Sequence, residues 1–203
     1  TSRAAGGAQI RAEAMAMRTW FLRRGPHRRA RDRGDARPMR ILFLSWNFPP
    51  AVGGIEYVVG NLFRGLCRKG HRVWVVTSHG AGTAREEGVF RCPSRGLAAY
   101  VAYSLLKGLW LCSRARPDAI LCGSVVGAPA GWALSRLFRL PYTVIVYGSD
   151  VLHPGAIYQR SVQFLYRRAD RLCAISRYTK SLLERIGVGA ERIDLIHPGV
   201  RTE

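Results

Sequence analysis

Short apolar runs alternate with longer helical stretches along most of the chain. The first run, residues 41–44, is continuously apolar, which is typical of a strand covered on both faces in a parallel sheet. The alternation of strands and helices predicts an α/β fold with a doubly wound parallel sheet. Further strands are predicted near residues 71–77, 89–92, 118–122, 142–147, 171–175 and 192–197. Helices are predicted near residues 55–69, 97–114, 128–138, 157–168 and 176–186.

A parallel sheet brings the carboxyl ends of its strands to one edge, which is where α/β folds bind their ligands. Polar residues and glycines follow most of the predicted strands and would meet at that edge. The edge is therefore the predicted place of a functional site. The segments concerned are residues 47–54, 78–80, 123–124, 147–150, 176–177 and 197–199.

A glycine turn follows the first predicted strand. Pro49 and Pro50 are expected to end the strand, and Gly53 and Gly54 come just before the predicted helix. Glycines let a ligand approach the backbone, and a helix N-terminus attracts anions, so the turn is a candidate phosphate site. The same arrangement also serves close packing alone, and both interpretations stay open. The spacing matches neither G-x-G-x-x-G nor a Walker loop.

Length and charge narrow the class of protein. The chain has 203 residues, which suits one well-buried domain, and its formal net charge is +19. A basic domain suits nucleic acid, an anionic membrane surface or phosphorylated small molecules. The sequence contains no helix-turn-helix, zinc-finger or aromatic RNA-binding motif, so we predict no nucleic-acid partner.

The five cysteines form no C-x-x-C pair and are predicted to be mostly buried free thiols.

Two segments need separate interpretation. Residues 1–38 carry ten arginines and lack an apolar run long enough for a signal peptide. We interpret them as an Arg-rich disordered arm or a mistranslated leader, with Met39 starting the folded domain. The apolar stretch at residues 97–112 is interrupted by Lys107 and falls short of the ~20 residues that span a bilayer. Packing on the sheet is the favoured interpretation, and Lys107, Arg114 and Arg116 leave a membrane-surface helix open.

Several segments resemble, in order and spacing, the N-terminal domain of family 4, GT-B fold glycosyltransferases. These retaining enzymes move a sugar from a nucleotide diphosphate onto an acceptor. The resemblance covers residues 39 to about 201 and implies a Rossmann-like domain there, the N-terminal half of a GT-B enzyme. The matching segments are FPPAVGGIEYVVGNL with the following LCRKGHRVWVVTS, then RPDAILCGS, YTVIVYGSD, ADRLCAISRYTKSLL and ERIDLIHPGV.

The resemblance, with the chemistry of the residues, suggests candidates for substrate or donor binding. Tyr147 stands where many members have a His that contacts the donor sugar; a phenol can donate a hydrogen bond but cannot replace imidazole as a base. Asp150 could orient a sugar hydroxyl or act as an N-cap, and Ser176 is a predicted N-cap. The full candidate set is Gly53, Gly54, Tyr147, Gly148, Asp150 and Arg177, the last for contact with an anionic group.

Three other residues are predicted to be structural. Gly70 is suited to end the first helix, and His71 and Asp118 are not assigned to chemistry. The sequence identifies no catalytic residue. It also predicts no cofactor and no metal, because no Asp-x-Asp motif is present and GT-B enzymes usually need no bound metal for transfer.

In this family a second domain supplies most of the nucleotide pocket, including a basic pair and a Glu-x7-Glu motif. We therefore expect a C-terminal donor-binding domain, absent here, to act in cis or in trans, with this chain a fragment, a split-gene product or an expressed single domain. The predicted function is that of a retaining, nucleotide-sugar-dependent glycosyltransferase of the hexosyltransferase type, inactive as an isolated domain. Its acceptor would be lipid-linked, a polysaccharide or a small molecule.

The resemblance also implies a place in the cell, with less support from the residues. We expect a cytoplasmic protein that contributes to the bacterial cell envelope, with peripheral contact at the inner face of the cytoplasmic membrane. The alternative function is a non-catalytic Rossmann-like module that binds an anionic metabolite or pairs with a separate donor-binding chain.

Overall fold

The computed structural model describes residues 37–78, 87–152 and 155–197. The prediction of a disordered arm or mistranslated leader at residues 1–38 lies outside the described residues, apart from Arg37 and Pro38. Most of the loop at residues 80–88 and the end of the resemblance, from residue 198 onward, lie outside them as well.

Within the described residues, seven strands form one sheet in which every neighbouring pair is parallel. The order across the sheet is β3-β2-β1-β4-β5-β6-β7, so β1 is central. The predicted doubly wound parallel sheet is confirmed. The strands are β1 Arg40–Ser45, β2 Arg72–Thr77, β3 Val89–Arg91, β4 Ala119–Cys122, β5 Tyr142–Val146, β6 Arg171–Ala174 and β7 Ile193–Leu195.

The predicted helices are also present, with bounds within a residue or two of the expected ones. One short helix and two 3-10 turns, Val125–Gly127 and Ala190–Arg192, were not predicted. The helices are α1 Gly54–Arg68, α2 Leu97–Ala115, α3 Ala128–Phe138, α4 Ser149–Leu152, α5 Ala156–Arg168 and α6 Arg177–Arg185.

The core lies on both faces of the sheet. In β1, Leu42 and Leu44 face a cluster with Leu111 of α2 and Leu134 of α3, while Phe43 on the other face packs with residues of α1. Residues 41–44 are completely buried, as their continuous apolar run predicted. Burying such a side chain contributes about 1.5–3 kcal/mol, so the central strand is held firmly and can support a site at its end.

Two aspartates hold strand starts at the amino edge of the sheet, opposite the candidate site. Asp118 Oδ2 accepts from the Arg40 backbone N–H at 2.8 Å, and the two side chains form an ion pair at 2.9 Å. Asp170 Oδ2 accepts from the Tyr142 backbone N–H at the same distance. Each carboxylate thus satisfies a backbone donor at the start of a neighbouring strand. This confirms the structural interpretation of Asp118.

The end of α1 explains both Gly70 and His71. The Gly70 N–H donates to the Cys67 carbonyl and the His71 N–H to the Leu66 carbonyl, which is a Schellman motif. Gly70 has a φ of 81°, a conformation that favours glycine. The imidazole Nδ1 of His71 accepts from the Met39 backbone N–H at 3.1 Å. Both residues therefore have the predicted structural roles.

The cysteines follow the prediction with one exception. Cys92, Cys112, Cys122 and Cys173 are buried, whereas Cys67 is exposed on α1, and all five are free. Burial raises the pKa of the Cys112 thiol to about 11, and it raises the pKa of Cys122 and Cys173 further. These buried thiols stay protonated at neutral pH and are therefore poor nucleophiles.

Helix α2 packs on the sheet through Tyr100, Leu111 and Cys112, as favoured from its sequence. No helix in the part of the chain that the structure describes combines the length and apolar character needed to cross a membrane.

Candidate functional site

The candidate site begins at the carboxyl end of β1. The strand ends at Ser45, whose hydroxyl donates to the Asn47 carbonyl at 2.7 Å and turns the chain. The prediction that Pro49 and Pro50 end the strand is therefore wrong, because the turn is made before them. Arg91 of the edge strand β3 also fixes this loop, because its guanidinium donates to the Pro49 carbonyl at 2.7 Å.

The two glycines of the turn differ in their surroundings. Gly53 is the N-cap of α1, and a methyl group there would overlap the carboxylate of Glu56. At Gly54 no described atom lies within 4 Å of the position that a Cβ would occupy. A side chain at Gly53 would have to displace the end of the Glu56 side chain, whereas Gly54 is an exposed residue with open space beside it.

Glu56 lies in the first turn of α1 and is held in place by Asn47. The Asn47 side-chain amide donates to Glu56 Oε1 at 2.6 Å. Both side chains are half-buried. A carboxylate at this position interacts favourably with the positive end of the helix. The N-terminus of α1 therefore already carries an acidic side chain, which lies against Gly53.

Tyr147 follows β5 and brings a second polar group to the same region. Its ring packs on the α1 side of the sheet, and its hydroxyl is buried without a hydrogen-bond partner among the described residues. Burial raises the pKa of the phenol well above its ordinary value, and the charges of Asp150 and Glu56 add to the effect. Tyr147 is therefore a neutral hydrogen-bond donor within electrostatic reach of both carboxylates.

Gly148 links the turn after β5 to the start of α6. Its φ of 90° favours glycine, and a Cβ there would lie 3.1 Å from Thr179 Oγ1. The Thr179 N–H donates to Ser176 Oγ at 3.1 Å, which confirms Ser176 as the N-cap. Arg177 begins the helix and is exposed, and its guanidinium has no hydrogen bond or ion pair with any residue that the structure describes. Its cation is available for an anionic ligand.

Asp150 has a partner that its sequence position did not reveal. It is the second residue of α4, so it is not the N-cap of that helix, and its Oδ2 accepts from the Tyr166 hydroxyl at 3.3 Å. Burial raises the pKa of the Asp150 carboxyl, and the hydrogen bond from Tyr166 lowers it in part. The N-cap alternative is therefore wrong, and burial disfavours the charged form of this carboxyl.

We expect Asp150→Asn to stabilise the protein at neutral pH. The pKa of Asp150 in the folded protein is raised above its ordinary value of 3.8, so above this raised pKa the folded protein bears an unfavourable charge that the amide removes. The advantage of the variant should shrink as pH falls through the folded-state pKa and vanish below 3.8. Urea unfolding across this range measures the difference, with the exposed Glu184→Gln as control. A variant that is less stable at neutral pH would show that the Tyr166 hydrogen bond outweighs burial.

The structure brings five of the six predicted candidates to the turns after β1 and β5, while Arg177 follows β6. Two functional candidates were missed, Asn47 and Glu56. An acid three residues after a glycine N-cap is a recognisable helix-start signal, and Asn47 follows a buried strand at the ligand edge. Within residues 37–78, 87–152 and 155–197, no group of His, Cys, Asp and Glu could hold a metal ion.

Comparison with known sequences gives a consistent family. The model described as Glycosyltransferase Family 4 matches residues 52–203. Among curated proteins, an uncharacterized glycosyltransferase of Methanocaldococcus jannaschii is 23% identical over 181 residues, which is 80% of this chain and 46% of that protein. The chain thus spans about half the length of this relative.

Solved structures share the fold at low sequence identity. The lipopolysaccharide outer core galactosyltransferase WaaB has a TM-score of 0.58 at 16% identity, over 78% of this chain and 45% of its own. Anabaena HepE, solved with UDP and glucose, has a TM-score of 0.57 at 22% identity, and the match covers 80% of this chain and 45% of HepE. A UDP-GlcNAc 2-epimerase of M. jannaschii also has a TM-score of 0.58, at 11% identity. That match covers 77% of this chain and 45% of the epimerase. The fold alone therefore does not specify the reaction.

Proposed function

Because the chain belongs to glycosyltransferase family 4, we propose that it is the acceptor-side domain of a retaining enzyme that transfers a hexose from a nucleotide diphosphate sugar. The chain spans under half of its structural neighbours, so we propose that a donor-binding domain acts with it in cis or in trans. HepE was solved with UDP and glucose, which supports a UDP-sugar as donor. The proposed reaction uses no cofactor and no metal ion.

The pair formed by Asn47 and Glu56 in the turn after β1 carries this proposal. Gly54, in the same turn, is exposed. A fixed carboxylate and an amide are suited to the hydroxyl groups of a sugar or polyol, because both can exchange hydrogen bonds with them. The same carboxylate would repel a diphosphate. We therefore propose that the turn after β1 holds the acceptor, and that Arg177 contacts the anionic part of a substrate.

The acceptor is proposed to be a glycan or a lipid-linked precursor of the bacterial cell envelope, and a small-molecule acceptor fits the same groups. WaaB, by its name, acts on lipopolysaccharide, which supports an envelope acceptor. We also propose a cytoplasmic enzyme that contacts the inner face of the cytoplasmic membrane. Binding of an anionic metabolite at the turn after β1 is not favoured, since Glu56 occupies the helix N-terminus that such a metabolite would need.

The residues of this chain are proposed to act by positioning. In the proposed transfer, the bond from the sugar to the leaving phosphate breaks and a bond to the acceptor oxygen forms, with retained configuration. The proton of the acceptor hydroxyl passes to the departing nucleoside diphosphate. Asn47 and Glu56 would hold the acceptor hydroxyl against the sugar, and orientation of this kind contributes much of the rate in two-substrate reactions. Tyr147 can donate a hydrogen bond but cannot take the proton, because its phenol is already protonated.

Gly54→Ala tests the acceptor site directly. A methyl group meets no described atom there, so the variant should fold. Its free energy of unfolding should be higher than that of the parent chain by about 0.4–1 kcal/mol. If the acceptor lies against Gly54, transfer should fall about tenfold, by one lost contact of ~1.4 kcal/mol. The measurement is transfer from radiolabelled UDP- and GDP-sugars by the enzyme with both domains present.

Gly65→Ala is the matched control, because Gly65 is in the same helix and a Cβ there also meets no described atom within 4 Å. It should stabilise the domain in the same way and leave transfer unchanged. Normal transfer by both Gly54→Ala and the bulkier Gly54→Val would contradict an acceptor site at this turn.

A further inference from the structure

We infer that Arg91 of β3 is a positioning residue for the transfer reaction and acts through the turn after β1. This turn, residues 46–53, carries Asn47 and leads into the helix that carries Glu56. These two residues form the pair proposed to hold the acceptor. The inference rests on that proposed function and adds to it a residue from another strand.

Arg91 is the last residue of the edge strand β3 and contacts two consecutive residues of the turn. Its guanidinium donates to the Pro49 carbonyl at 2.7 Å and lies 5.9 Å from the centre of the Phe48 ring. Phe48 is 4% exposed, and Arg91 is half-buried. A charged donor makes a stronger hydrogen bond than a neutral one, so this contact is suited to fix the path of the turn.

The end of β2 holds the start of the same turn. The Ser78 hydroxyl donates to the Trp46 carbonyl at 2.6 Å, and the Thr77 hydroxyl donates to the same carbonyl at 3.4 Å. The end of β2 is joined to the end of β3, since the Cys92 N–H donates to the Thr77 carbonyl at 2.9 Å. Both strands therefore help to fix the turn that follows β1.

Helix α1 contacts the residues that Arg91 contacts. A Cβ at Gly60 would lie 2.7 Å from Pro49 Cγ, so the helix backbone and the proline ring are close together. The Phe48 and Phe63 rings meet edge to face, with their centres 5.5 Å apart. Pro49 is thus in contact with both α1 and β3, and removal of the Arg91 bond would leave it with the helix contact.

The position of Asn47 depends on these contacts because its neighbours in the chain make them. The carbonyl of the preceding residue is held from β2, and the two following residues are held by Arg91. The Asn47 amide meets Glu56 Oε1 at 2.6 Å. A shift of about 1 Å in the turn would stretch this hydrogen bond past its normal range. Misplacement of about 1 Å in an active site can lower a rate about 100-fold.

Arg91 is distinguished from Arg177 by what its guanidinium contacts. The Arg91 contacts with Pro49 and Phe48 both lie in the turn, whereas the Arg177 guanidinium has no hydrogen bond or ion pair among the described residues. A positioning role is therefore assigned to Arg91, and direct contact with an anionic substrate stays with Arg177.

The test measures transfer by the enzyme with both domains present and amide hydrogen exchange of the full chain. Arg91→Met keeps an apolar stem beside Phe48 and removes the donor to the Pro49 carbonyl. We expect kcat/KM to fall about tenfold or more, with partial rescue in Arg91→Lys, whose ammonium can still donate. Exchange in peptides that cover residues 44–54 should become faster in Arg91→Met, while peptides of β5 and β6 keep the parent rate.

Arg167→Met is the matched control. The Arg167 guanidinium donates to the Ile186 carbonyl at 3.0 and 2.7 Å, so this variant loses the same charge and the same kind of bond away from the turn. It should lower thermal stability without changing transfer. A double-mutant cycle separates positioning from stability: Arg91→Met should add little to Glu56→Ala, because it acts through that pair, whereas independent losses would multiply.

The outcomes separate failure of the inference from failure of the acceptor site. If Glu56→Ala lowers transfer and Arg91→Met does not, the acceptor site stands and the positioning role is wrong. If only Arg91→Met lowers transfer, or if the two losses multiply, Arg91 acts on the substrate and not through the pair. If neither variant lowers transfer, the acceptor site is wrong and the inference fails with it. Unchanged exchange at residues 44–54 in Arg91→Met would contradict the inference whatever the transfer assay gives.

Discussion

Replacing Glu56 with alanine is expected to lower kcat/KM for sugar transfer by about 10- to 100-fold. The carboxylate is fixed by the Asn47 amide in the first turn of α1, next to the turn where the acceptor is proposed to bind. A hydrogen bond to a charged group contributes about 1.5–3 kcal/mol, and each ~1.4 kcal/mol is a factor of ten in rate. Loss of the favourable interaction with the helix N-terminus should cost about 0.3–1 kcal/mol of stability as well.

Transfer from UDP- and GDP-sugars by the two-domain enzyme measures this effect, and Glu184→Ala, which removes an exposed carboxylate from α6, is the control. Asn47→Ala should have a smaller effect, and the double variant should be no worse than Glu56→Ala, because the two side chains act as one unit. Tighter binding of the diphosphate together with normal transfer in Glu56→Ala would contradict the proposal. That result would make the turn a phosphate site that Glu56 weakens.

The positions of the strands and helices could be predicted because local patterns determine them. The continuous apolar run of β1 requires burial on both faces, and α3 begins and ends at the predicted residues. Helix α4, in contrast, has four residues, which is too short to show any periodicity. The end of β1 was predicted to within a residue, because the apolar run stops at residue 44 and the strand ends at Ser45. Its cause was misassigned, since the prolines lie beyond that end, and proline is a stronger signal in sequence than serine.

The candidate site was less predictable because its contacts join residues that are distant in sequence. Asn47 and Glu56 belong to different elements, and only the path of the turn brings them together. Asp150 looked suited to a local cap, yet its hydroxyl partner Tyr166 lies on another helix. The two glycines could be located from the sequence, but their surroundings could not. The Glu56 carboxylate occupies the space beside Gly53, whereas the space beside Gly54 is open.

Tyr147→Phe is expected to change stability and activity in opposite directions. The Tyr147 hydroxyl is buried without a partner among the described residues, and leaving such a group unsatisfied costs about 1–3 kcal/mol. Removing it should therefore raise the free energy of unfolding by about 1 kcal/mol. If the hydroxyl donates to a bound sugar, the same change should lower transfer about tenfold, by ~1.4 kcal/mol of lost transition-state stabilisation.

Urea unfolding and the transfer assay on the same preparations separate the two effects, with the exposed Tyr178→Phe as control. Tyr147→His adds a second comparison, because the family resemblance implies a His at this position in many members. An imidazole can donate the same hydrogen bond, so His should restore part of the activity that Phe loses. A Phe variant that is both more stable and fully active would reduce Tyr147 to a core residue, and the acceptor contacts would then rest on Asn47 and Glu56 alone.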